Sequence, residues 1–308
     1  MKHVFVETNG TMRLLGEYIR KGLARDDAVI ISTRVRTTDS ILHLGDYSRR
    51  STSDRFKRYD ISSFRQRFDE QIGSEEFVLH LAHISGVFAQ LLHCHPRRLQ
   101  TVFLEEGLVT YGPSRLSFSS YALQCYRAGP KGLSRAIRFG RDYVPMDVAD
   151  MCVGLTDFSW PQMRNRTIVP MVDVFTSHDE TDALVFLLGL EVPVSQQIRD
   201  IMSLRMEGWA TRELIVSVHP GIEGTYGVAH FQSLLPDARV VGGAEKHLKC
   251  GLVAGYASSG LLYAAALGTP TVTLKSVSAV WPEPLRPTVD LMRMSRQSWA
   301  DAIEGLQR

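Results

Sequence analysis

The sequence has few cysteines and no pattern that would pair them. Its 308 residues include four, Cys94, Cys125, Cys152 and Cys250. They are far apart and form no CxxC spacing, which argues against a disulfide framework or a zinc ribbon. We expect reduced thiols in the core or on the surface.

Long hydrophobic runs and blocks of one charge are also missing. The N-terminal run Met1–Val6 is too short for the apolar region of a signal peptide, and Glu7 ends it. No window approaches the ~20 apolar residues of a membrane helix, so we expect a cytoplasmic protein. The formal net charge is +2 without a basic block, which predicts no nucleic-acid partner. Scattered arginines leave room for weak peripheral attachment to an anionic surface, at the inner face of the membrane.

The segment His93-Cys94-His95 contains three metal-ligating side chains in a row. Neighbouring residues of one segment rarely point at the same ion, and a four-ligand site needs further donors. We therefore expect no metal there. The sequence also has no internal repeat of fixed period and no low-complexity segment.

Short β-branched or aromatic runs alternate with longer amphipathic stretches along most of the chain. This alternation is typical of βαβ units and predicts an α/β fold with mainly parallel sheets. The length suits two domains of about 150 residues. Residues 116–166 lack clear periodicity, so we place the boundary near their end, between residues 1–165 and residues 166–308. The predicted strands are Val4–Val6, Ala28–Ser32, Phe77–Leu81, Val102–Leu104, Ala183–Leu188, Leu214–Val218, Ala238–Val241, Leu252–Ala254 and Thr271–Leu274.

Helices are predicted between these strands. One spans Thr11–Leu23, because apolar residues recur there every three or four positions. The turn Thr8-Asn9-Gly10 joins it to the first strand and is a candidate ligand-facing loop. In the second half, helices are predicted over Val194–Met206 and Ser259–Leu267. Two such halves that face each other would form a central cleft.

Two adjacent carboxylates, Glu105 and Glu106, follow the predicted strand that ends at Leu104. Ligands gather beyond the carboxyl ends of strands in an open parallel sheet, and Gly107 permits a sharp turn there. One member of the pair is a candidate general base, because a neighbouring like charge makes it easier for one of them to take up a proton. By itself, Glu-Glu-Gly is more often a solvated acidic turn.

A second motif, His219-Pro220, follows the strand-like run Leu214–Val218. Proline fixes the backbone after the histidine and ends the strand, which holds the imidazole at the strand end. A fixed imidazolium can bind a phosphate oxygen. The second copy, His95-Pro96, follows a helix-like stretch, and we interpret it as structural.

A third motif, Ser258-Ser259-Gly260, lies between a predicted strand and a helix of small residues. Hydroxyls and free backbone N–H groups at a helix N-terminus form an anion site that fits a phosphate. Without the neighbouring histidine, an ordinary serine N-cap is an equally good interpretation. Glu245 is a weaker candidate for a ribose or base contact, since a glutamate in the first turn of a helix commonly has no ligand role.

Taken in order, the motifs Glu105-Glu106-Gly107, His219-Pro220 and Ser258-Ser259 resemble those of the bacterial sialyltransferases and polysialyltransferases. Tyr111, shortly after the acidic motif, adds to the likeness, which spans most of the chain in short patches. Two features depart from the family. The acidic pair is Glu-Glu where an acidic-Asp pair is more usual, and the chain is shorter than many relatives, which leaves acceptor specificity open.

The resemblance implies a GT-B fold of two Rossmann-like domains facing a central cleft, with the acceptor and the base in the first and the CMP-sugar in the second. It implies an inverting, metal-independent transfer of a sialic acid from CMP-sialic acid, without a cofactor. The acceptor would be a hydroxyl of an oligosaccharide, lipooligosaccharide or capsule-type glycan. Glu105 would be the base, with Glu106 orienting it or exchanging roles. His219 would be catalytic as well, since it would contact the CMP phosphate and assist its departure. The residues implied in donor binding are His219, Pro220, Glu245, Ser258, Ser259 and Gly260.

Two alternatives stay open. One is a GT-B enzyme that uses CMP-Kdo or a UDP-sugar, including a sugar-nucleotide epimerase. The other is a non-catalytic glycan-binding protein of the same fold, although three chemically coherent motifs at strand ends favour an enzyme. The sequence carries no readable signal for the acceptor, the linkage, the number of sugars transferred or the oligomeric state.

Overall fold

A computed structural model describes thirteen stretches of the chain. The chain divides into two compact units, unit 1 (Met1–Val169) and unit 2 (Pro170–Arg308). The sequence places the boundary at residue 165, close to this division. The described residues are 1–7, 28–32, 42–47, 58–105, 110–111, 115–142, 148–169, 181–189, 192–206, 212–219, 226–256, 258–275 and 281–291.

The described part of unit 1 contains a seven-stranded parallel sheet and three α-helices. The helices are α1 (Ile61–Ile72), α2 (Val87–His93) and α3 (Phe118–Phe139). The strands are β1 (Lys2–Glu7), β2 (Val29–Ser32), β3 (Leu42–His43), β4 (Phe77–Leu81), β5 (Arg98–Leu104), β6 (Met151–Gly154) and β7 (Arg166–Ile168), in the spatial order β3-β2-β1-β4-β5-β6-β7.

Helix α1 shows how local sequence sets an element of unit 1. The Asp60 carboxylate caps the helix by accepting from the backbone N–H of Ser63 at 3.1 Å. Four apolar side chains spaced three or four residues apart are buried against the sheet, while the residues between them are charged or polar. The helix ends at Gly73, where the backbone turns to a φ of 62°.

Helix α3 lies in the segment for which the sequence shows no clear periodicity. The Ser117 hydroxyl caps it by accepting from the backbone N–H of Ser120. Gly129, with φ of 60° and ψ of −173°, breaks it into two helical segments, and Pro130 begins the second. The break interrupts the helical repeat of apolar residues, which explains why the sequence pattern does not reveal this helix.

Unit 2 repeats the architecture with a six-stranded parallel sheet. Its α-helices within the described ranges are α4 (Val194–Met206), α5 (Val228–Leu234) and α6 (Ser259–Ala266). Its strands are β8 (Thr181–Leu187), β9 (Leu214–Ser217), β10 (Arg239–Val241), β11 (Cys250–Gly255), β12 (Thr271–Thr273) and β13 (Val289–Asp290), in the order β10-β9-β8-β11-β12-β13.

Both sheets follow the Rossmann strand order. In each, the second and third strands lie on one side of the first strand and the fourth lies on its other side. Every strand pair recorded in the two sheets is parallel. The order therefore reverses between β1 and β4 and between β8 and β11, and ligands of such sheets bind at this switch point. The predicted α/β fold with two Rossmann-like units is confirmed.

Each unit has its own hydrophobic core. The core cluster of unit 1 joins one face of its sheet to α1, α2 and α3, and that of unit 2 joins its sheet to α4 and α5. Within the described ranges, every helix is too short or too polar to cross a lipid bilayer. The predicted helix at residues 11–23 and the turn at residues 8–10 lie outside the described residues.

Candidate functional site

Glu105 directly follows β5, and three donors enclose its carboxylate. Tyr111 donates its hydroxyl to Oε1 over 2.5 Å, while the Leu155 backbone N–H and the Ser159 hydroxyl each donate to Oε2 over 2.6 Å. Only 1% of Glu105 is exposed. Hydrogen bonds to an ionised group are stronger than neutral ones and offset the cost of burying its charge. Glu105 thus ties the end of β5 to the loop after β6.

Hydrogen bonds within the loop after β6 hold two of these donors, Leu155 and Ser159, in place. The backbone N–H of Thr156 donates to the Ser159 hydroxyl at 3.0 Å, and the indole N–H of Trp160 donates to the Val153 carbonyl at 2.9 Å. Gly154 allows the loop to close, since a Cβ there would lie 2.2 Å from that of Ser159. Trp160 has a φ of 54°. A non-glycine residue held in this region stores strain, which is typical of functional sites.

The enclosure of Glu105 bears on which carboxylate contacts an acceptor. A general base must lie within hydrogen-bond reach of the proton that it abstracts. Both Glu105 oxygens already accept hydrogen bonds inside unit 1, which fits a residue that positions its neighbours. Glu106 and Gly107 lie outside the described residues. The choice between Glu105 and Glu106 as base therefore stays a prediction.

His83 and Ser85 are two residues at the switch point of unit 1 that the sequence reasoning missed. They follow β4, one of the two strands that flank this point. The Ser85 Oγ lies 2.9 Å from the His83 Nδ1, and Ser85 is buried. The available signal was a polar pair directly after the apolar strand Phe77–Leu81, where parallel sheets bind ligands.

In unit 2, the Ser258-Ser259-Gly260 motif stands at the switch point, at the N-terminus of α6. Ser258 immediately precedes α6 and makes no side-chain cap hydrogen bond. Its Oγ is buried and has no hydrogen-bond partner among the described residues, although buried hydroxyls are nearly always paired. The first N–H groups of a helix also lack intrahelical acceptors and carry the positive end of the helix dipole. This end of α6 therefore favours an anion such as phosphate.

Glycines bring α6 close to the end of β8. A Cβ at Gly260 would lie 2.7 Å from the Leu187 Cδ1, and one at Gly255 would lie 2.7 Å from the Leu187 carbonyl oxygen. A side chain at Gly255 would push strand β11 away from the β8 backbone, whereas one at Gly260 would require the buried Leu187 side chain to move. Gly260, predicted to bind the donor, thus has a packing role in setting the position of the helix end.

A buried polar network fixes the other side of this switch point. The Tyr256 hydroxyl donates to Asp200 at 2.6 Å, and Gln196 donates to the same carboxylate at 2.8 Å. The Gln197 amide accepts from the backbone N–H of Gly189 and donates to its carbonyl. Burial raises the pKa of the Tyr256 hydroxyl above its ordinary value, and the hydrogen-bonded Asp200 carboxylate raises it further. Helix α4 is thereby anchored to the ends of β8 and β11.

His219 lies at the same edge of the unit 2 sheet, just beyond β9. The residue before it, Val218, donates its N–H to the Val241 carbonyl at 2.9 Å, which extends the pairing of β9 with β10. Strand β9 is the neighbour of β8. Pro220 lies outside the described residues. Glu245 begins a 3₁₀ turn that ends at His247, and its side chain is not described.

The His93-Cys94-His95 segment is partnered within unit 1. The His93 Nδ1 lies 2.9 Å from the Thr101 hydroxyl, and the His95 Nε2 lies 3.0 Å from an Asp69 carboxylate oxygen. Cys94 is exposed and all four cysteines are free. Across the described stretches, no group of three His, Cys, Asp or Glu side chains is arranged to hold a metal ion. A reaction without a metal stays a prediction.

Solved structures that resemble the chain cover nearly all of it. A Methanocaldococcus jannaschii UDP-GlcNAc 2-epimerase, in complex with UDP-GlcNAc and UDP, matches 100% of this chain and 93% of its own, at 11% identity and a TM-score of 0.53. A UDP-glucose:anthocyanidin 3-O-glucosyltransferase in complex with UDP matches 99% and 90%, at 8% identity and 0.52. A spinosyn rhamnosyltransferase matches 99% and 91%, at 12% identity and 0.50.

The chain has the GT-B fold. At such low identities the likeness establishes the fold alone, and function must be argued from the site. No protein-family model and no curated protein sequence matches the chain. The three structures are an epimerase and two glycosyltransferases. The predicted GT-B fold is therefore confirmed, whereas the comparisons give no support to the sialyltransferase family in particular.

Proposed function

We propose that this GT-B protein is a nucleotide-sugar enzyme that binds the donor phosphate in unit 2, at the start of α6. A UDP-sugar is the first candidate donor. The observation that carries the proposal is the buried Ser258 hydroxyl at a helix N-terminus on the switch point, for which the described part of the chain offers no hydrogen-bond partner. The epimerase and the glucosyltransferase with the same fold were both solved with UDP bound, which favours a uridine nucleotide over a cytidine nucleotide.

The chemistry follows from where charge develops. When the bond between the anomeric carbon and the phosphate oxygen breaks, its electron pair leaves with the phosphate. The Ser258 hydroxyl and the first N–H groups of α6 would donate to that oxygen, and His219 would add a third kind of donor. One well-placed donor of this type contributes roughly 3–4 kcal/mol to transition-state stabilisation. We expect this role to require neither a cofactor nor a metal.

Unit 1 would supply the proton acceptor. In a transfer reaction, a glycan hydroxyl attacks the anomeric carbon and loses its proton to a carboxylate, for which Glu106 is our first candidate. Glu105 would position the loop that carries it, since both of its oxygens accept hydrogen bonds within unit 1. A positioned base adds about 100- to 10,000-fold in rate.

Transfer of a sialic acid from CMP-sialic acid is the second candidate. It is favoured by the order of the acidic, His-Pro and Ser-Ser motifs, which resembles the bacterial sialyltransferases. The acceptor would then be a bacterial oligosaccharide, lipooligosaccharide or capsule-type glycan. Both candidates use the same phosphate contacts, so the nucleotide base distinguishes them.

Nucleotide binding by the full chain tests the donor site. A ligand at about 100 times its Kd adds about 2.7 kcal/mol of stability, so a bound nucleotide should raise the melting temperature. If a UDP-sugar is the donor, UDP should raise it more than CMP at the same concentration. The Ser258→Ala variant should weaken UDP binding about tenfold, as expected for loss of a hydrogen bond to a charged group. The control Ser233→Ala, on α5 and exposed, should bind like the wild type. If neither nucleotide stabilises the protein, the proposal is wrong, while a larger effect of CMP selects the second candidate.

Turnover tests the enzyme class. UDP-GlcNAc, UDP-glucose and CMP-sialic acid are incubated with the protein, and free nucleotide and C2 epimer are measured with and without glycan acceptors. Glu106→Gln should abolish turnover and leave UDP binding intact. A protein that binds nucleotide but never turns over any donor would be a binding protein instead.

A further inference from the structure

Helix α3 exposes large apolar side chains on both sides of its break. In the first segment, Phe118 and Tyr126 are 73% and 43% exposed, with the exposed Ala122 between them at helical spacing. In the second segment, Leu133 and Ile137, four residues apart, are 40% and 61% exposed. Residues at this spacing lie on one side of a helix. Each half of α3 therefore exposes a row of apolar side chains to water. Such exposed apolar surface is unfavourable unless another surface covers it.

The charges on α3 itself and directly beside its ends, over residues 115–141, are of one sign. Residues 115–141 contain five arginines and one lysine and no aspartate or glutamate. Of the arginines, Arg115 is paired with Asp142, and the structure records no carboxylate partner for the other four among the described residues. Arg138 and Arg141 are exposed at the end of the helix. Arg58 is exposed as well and lies over the Tyr126 ring, 5.0 Å from its centroid.

The exposed apolar side chains and the positive charge of α3 together favour one kind of binding partner. A second copy of the chain placed symmetrically on α3 would bring the same arginines face to face, and like charges repel. An anionic lipid surface attracts the cations and accepts the apolar side chains at its boundary. Helices with Lys and Arg beside Phe, Leu and Ile lie in such interfaces.

We propose that α3 is a docking surface for an anionic phospholipid membrane, onto which the protein binds peripherally. Phe118 and Ile137 insert at the acyl boundary, and Arg138 with Arg141 contacts lipid phosphates. The backbone N–H of Leu116 donates to the Arg141 carbonyl at 2.8 Å, so the start and the end of α3 lie side by side. This proposal is independent of the donor-site chemistry in unit 2.

Vesicle flotation with the full chain tests it. Phosphatidylcholine vesicles are compared with vesicles that also contain phosphatidylglycerol. Binding is expected only to the anionic vesicles and should weaken as salt rises. The double variant Phe118→Ser with Ile137→Ser should bind about tenfold more weakly, and Arg138→Gln should lose about fivefold.

Matched controls come from α4 of unit 2. Met202 is 45% exposed and Arg199 is exposed, so Met202→Ser and Arg199→Gln should bind vesicles like the wild type. All variants should keep the wild-type circular dichroism spectrum. The proposal is overturned if the wild type binds both vesicle types equally or neither, or if the controls lose as much as the α3 variants. It is also overturned if sedimentation shows a dimer that the Phe118→Ser and Ile137→Ser double variant dissolves.

Discussion

The buried Glu105 carboxylate connects the end of β5 to Tyr111 and to the loop after β6. Two of its three donors come from residues far along the chain, Leu155 50 positions away and Ser159 54 positions away, while Tyr111 is only six positions away. A buried carboxylate needs every one of these partners, because an unsatisfied charged group costs more than an unsatisfied neutral one. The residue is therefore expected to matter for stability before it matters for chemistry.

Glu105→Gln should lower the free energy of unfolding by about 2–3 kcal/mol. The glutamine NH₂ would take the place of one carboxylate oxygen and would face a donor instead of accepting from it. The hydrogen bonds to a charged group would also be lost. Tyr111→Phe should cost about 1 kcal/mol. Urea denaturation measures both, and the double variant should show coupling because the two groups share a 2.5 Å hydrogen bond. As a control, Glu213→Gln on the surface should change stability by less than about 0.5 kcal/mol. Additive costs would contradict the network.

A second residue-scale prediction concerns acid. His80 is buried between the rings of Phe5 and His3, and burial, with a smaller effect of His3, lowers the pKa of His80 to about 3. An unfolded histidine has a pKa of about 6.5. Between these values only the unfolded chain binds the proton, so stability is present above about pH 6.5 and falls as the pH drops towards 3, by up to about 1.4 kcal/mol per unit.

The His80→Phe variant should lose this part of the pH dependence, since its ring stacks without a titratable group. Urea denaturation at about pH 8 and about pH 5 should show a difference smaller by about 2 kcal/mol than in the wild type. His230→Phe, at an exposed position of α5, serves as the control and should keep the wild-type difference. Equal pH dependence in all three proteins would show that His80 is not the group responsible.

At the scale of elements, α3 depends on the glycine at its break. Gly129 has φ and ψ values that only glycine adopts at low cost. The break lets Pro130 begin a new helical segment, a position where its missing N–H costs nothing. Without the break, Pro130 would sit inside a continuous helix and disrupt it.

Gly129→Ala should therefore lower the free energy of unfolding by about 1–3 kcal/mol. The control is the neighbouring Pro130→Ala, at an exposed position, which should cost less than about 1 kcal/mol. Thermal and urea unfolding measure both. Were the two variants equally stable, the backbone of Gly129 would not be under the constraint that the structure shows.

At the scale of the whole molecule, the chain is two Rossmann-like units, each with its own sheet and core. A unit that buries its own core can fold alone. The donor site proposed above draws its phosphate contacts from unit 2 only, around Ser258 and His219. If the two units are expressed as separate fragments, unit 2 alone should therefore bind the nucleotide, and neither fragment alone should turn over the donor.

A fragment of residues 170–308 is expected to unfold cooperatively and to bind UDP with a Kd within about tenfold of the full chain, because its core and phosphate contacts are all present. A fragment of residues 1–169 should fold but bind no nucleotide. Circular dichroism and thermal shift measure both outcomes. Nucleotide binding by the first fragment would contradict the assignment of the donor to unit 2.

Regular elements were the most predictable part of the fold. The strand Phe77–Leu81 and the helix Val194–Met206 coincide with their predicted bounds. The strand is a short, nearly continuous apolar run, and the helix has apolar residues at helical spacing along its length. Helix α3 was not predictable from periodicity, since Gly129 and Pro130 interrupt it. The same patterns predicted that Glu105, His219 and Ser258 follow strand ends. His83 was not predictable in this way, because a short polar turn after a strand has no distinctive residue spacing.

What the sequence determined by itself is local: which segments form strands and helices, and which polar residues follow them. Tertiary structure alone decided that Glu105 is enclosed by Tyr111, Leu155 and Ser159. It also decided that the buried Ser258 hydroxyl, at a switch point, has no hydrogen-bond partner within the described ranges. The physical reason is that burial and hydrogen-bond satisfaction depend on groups dozens of residues apart, which meet only when parallel strands are set side by side.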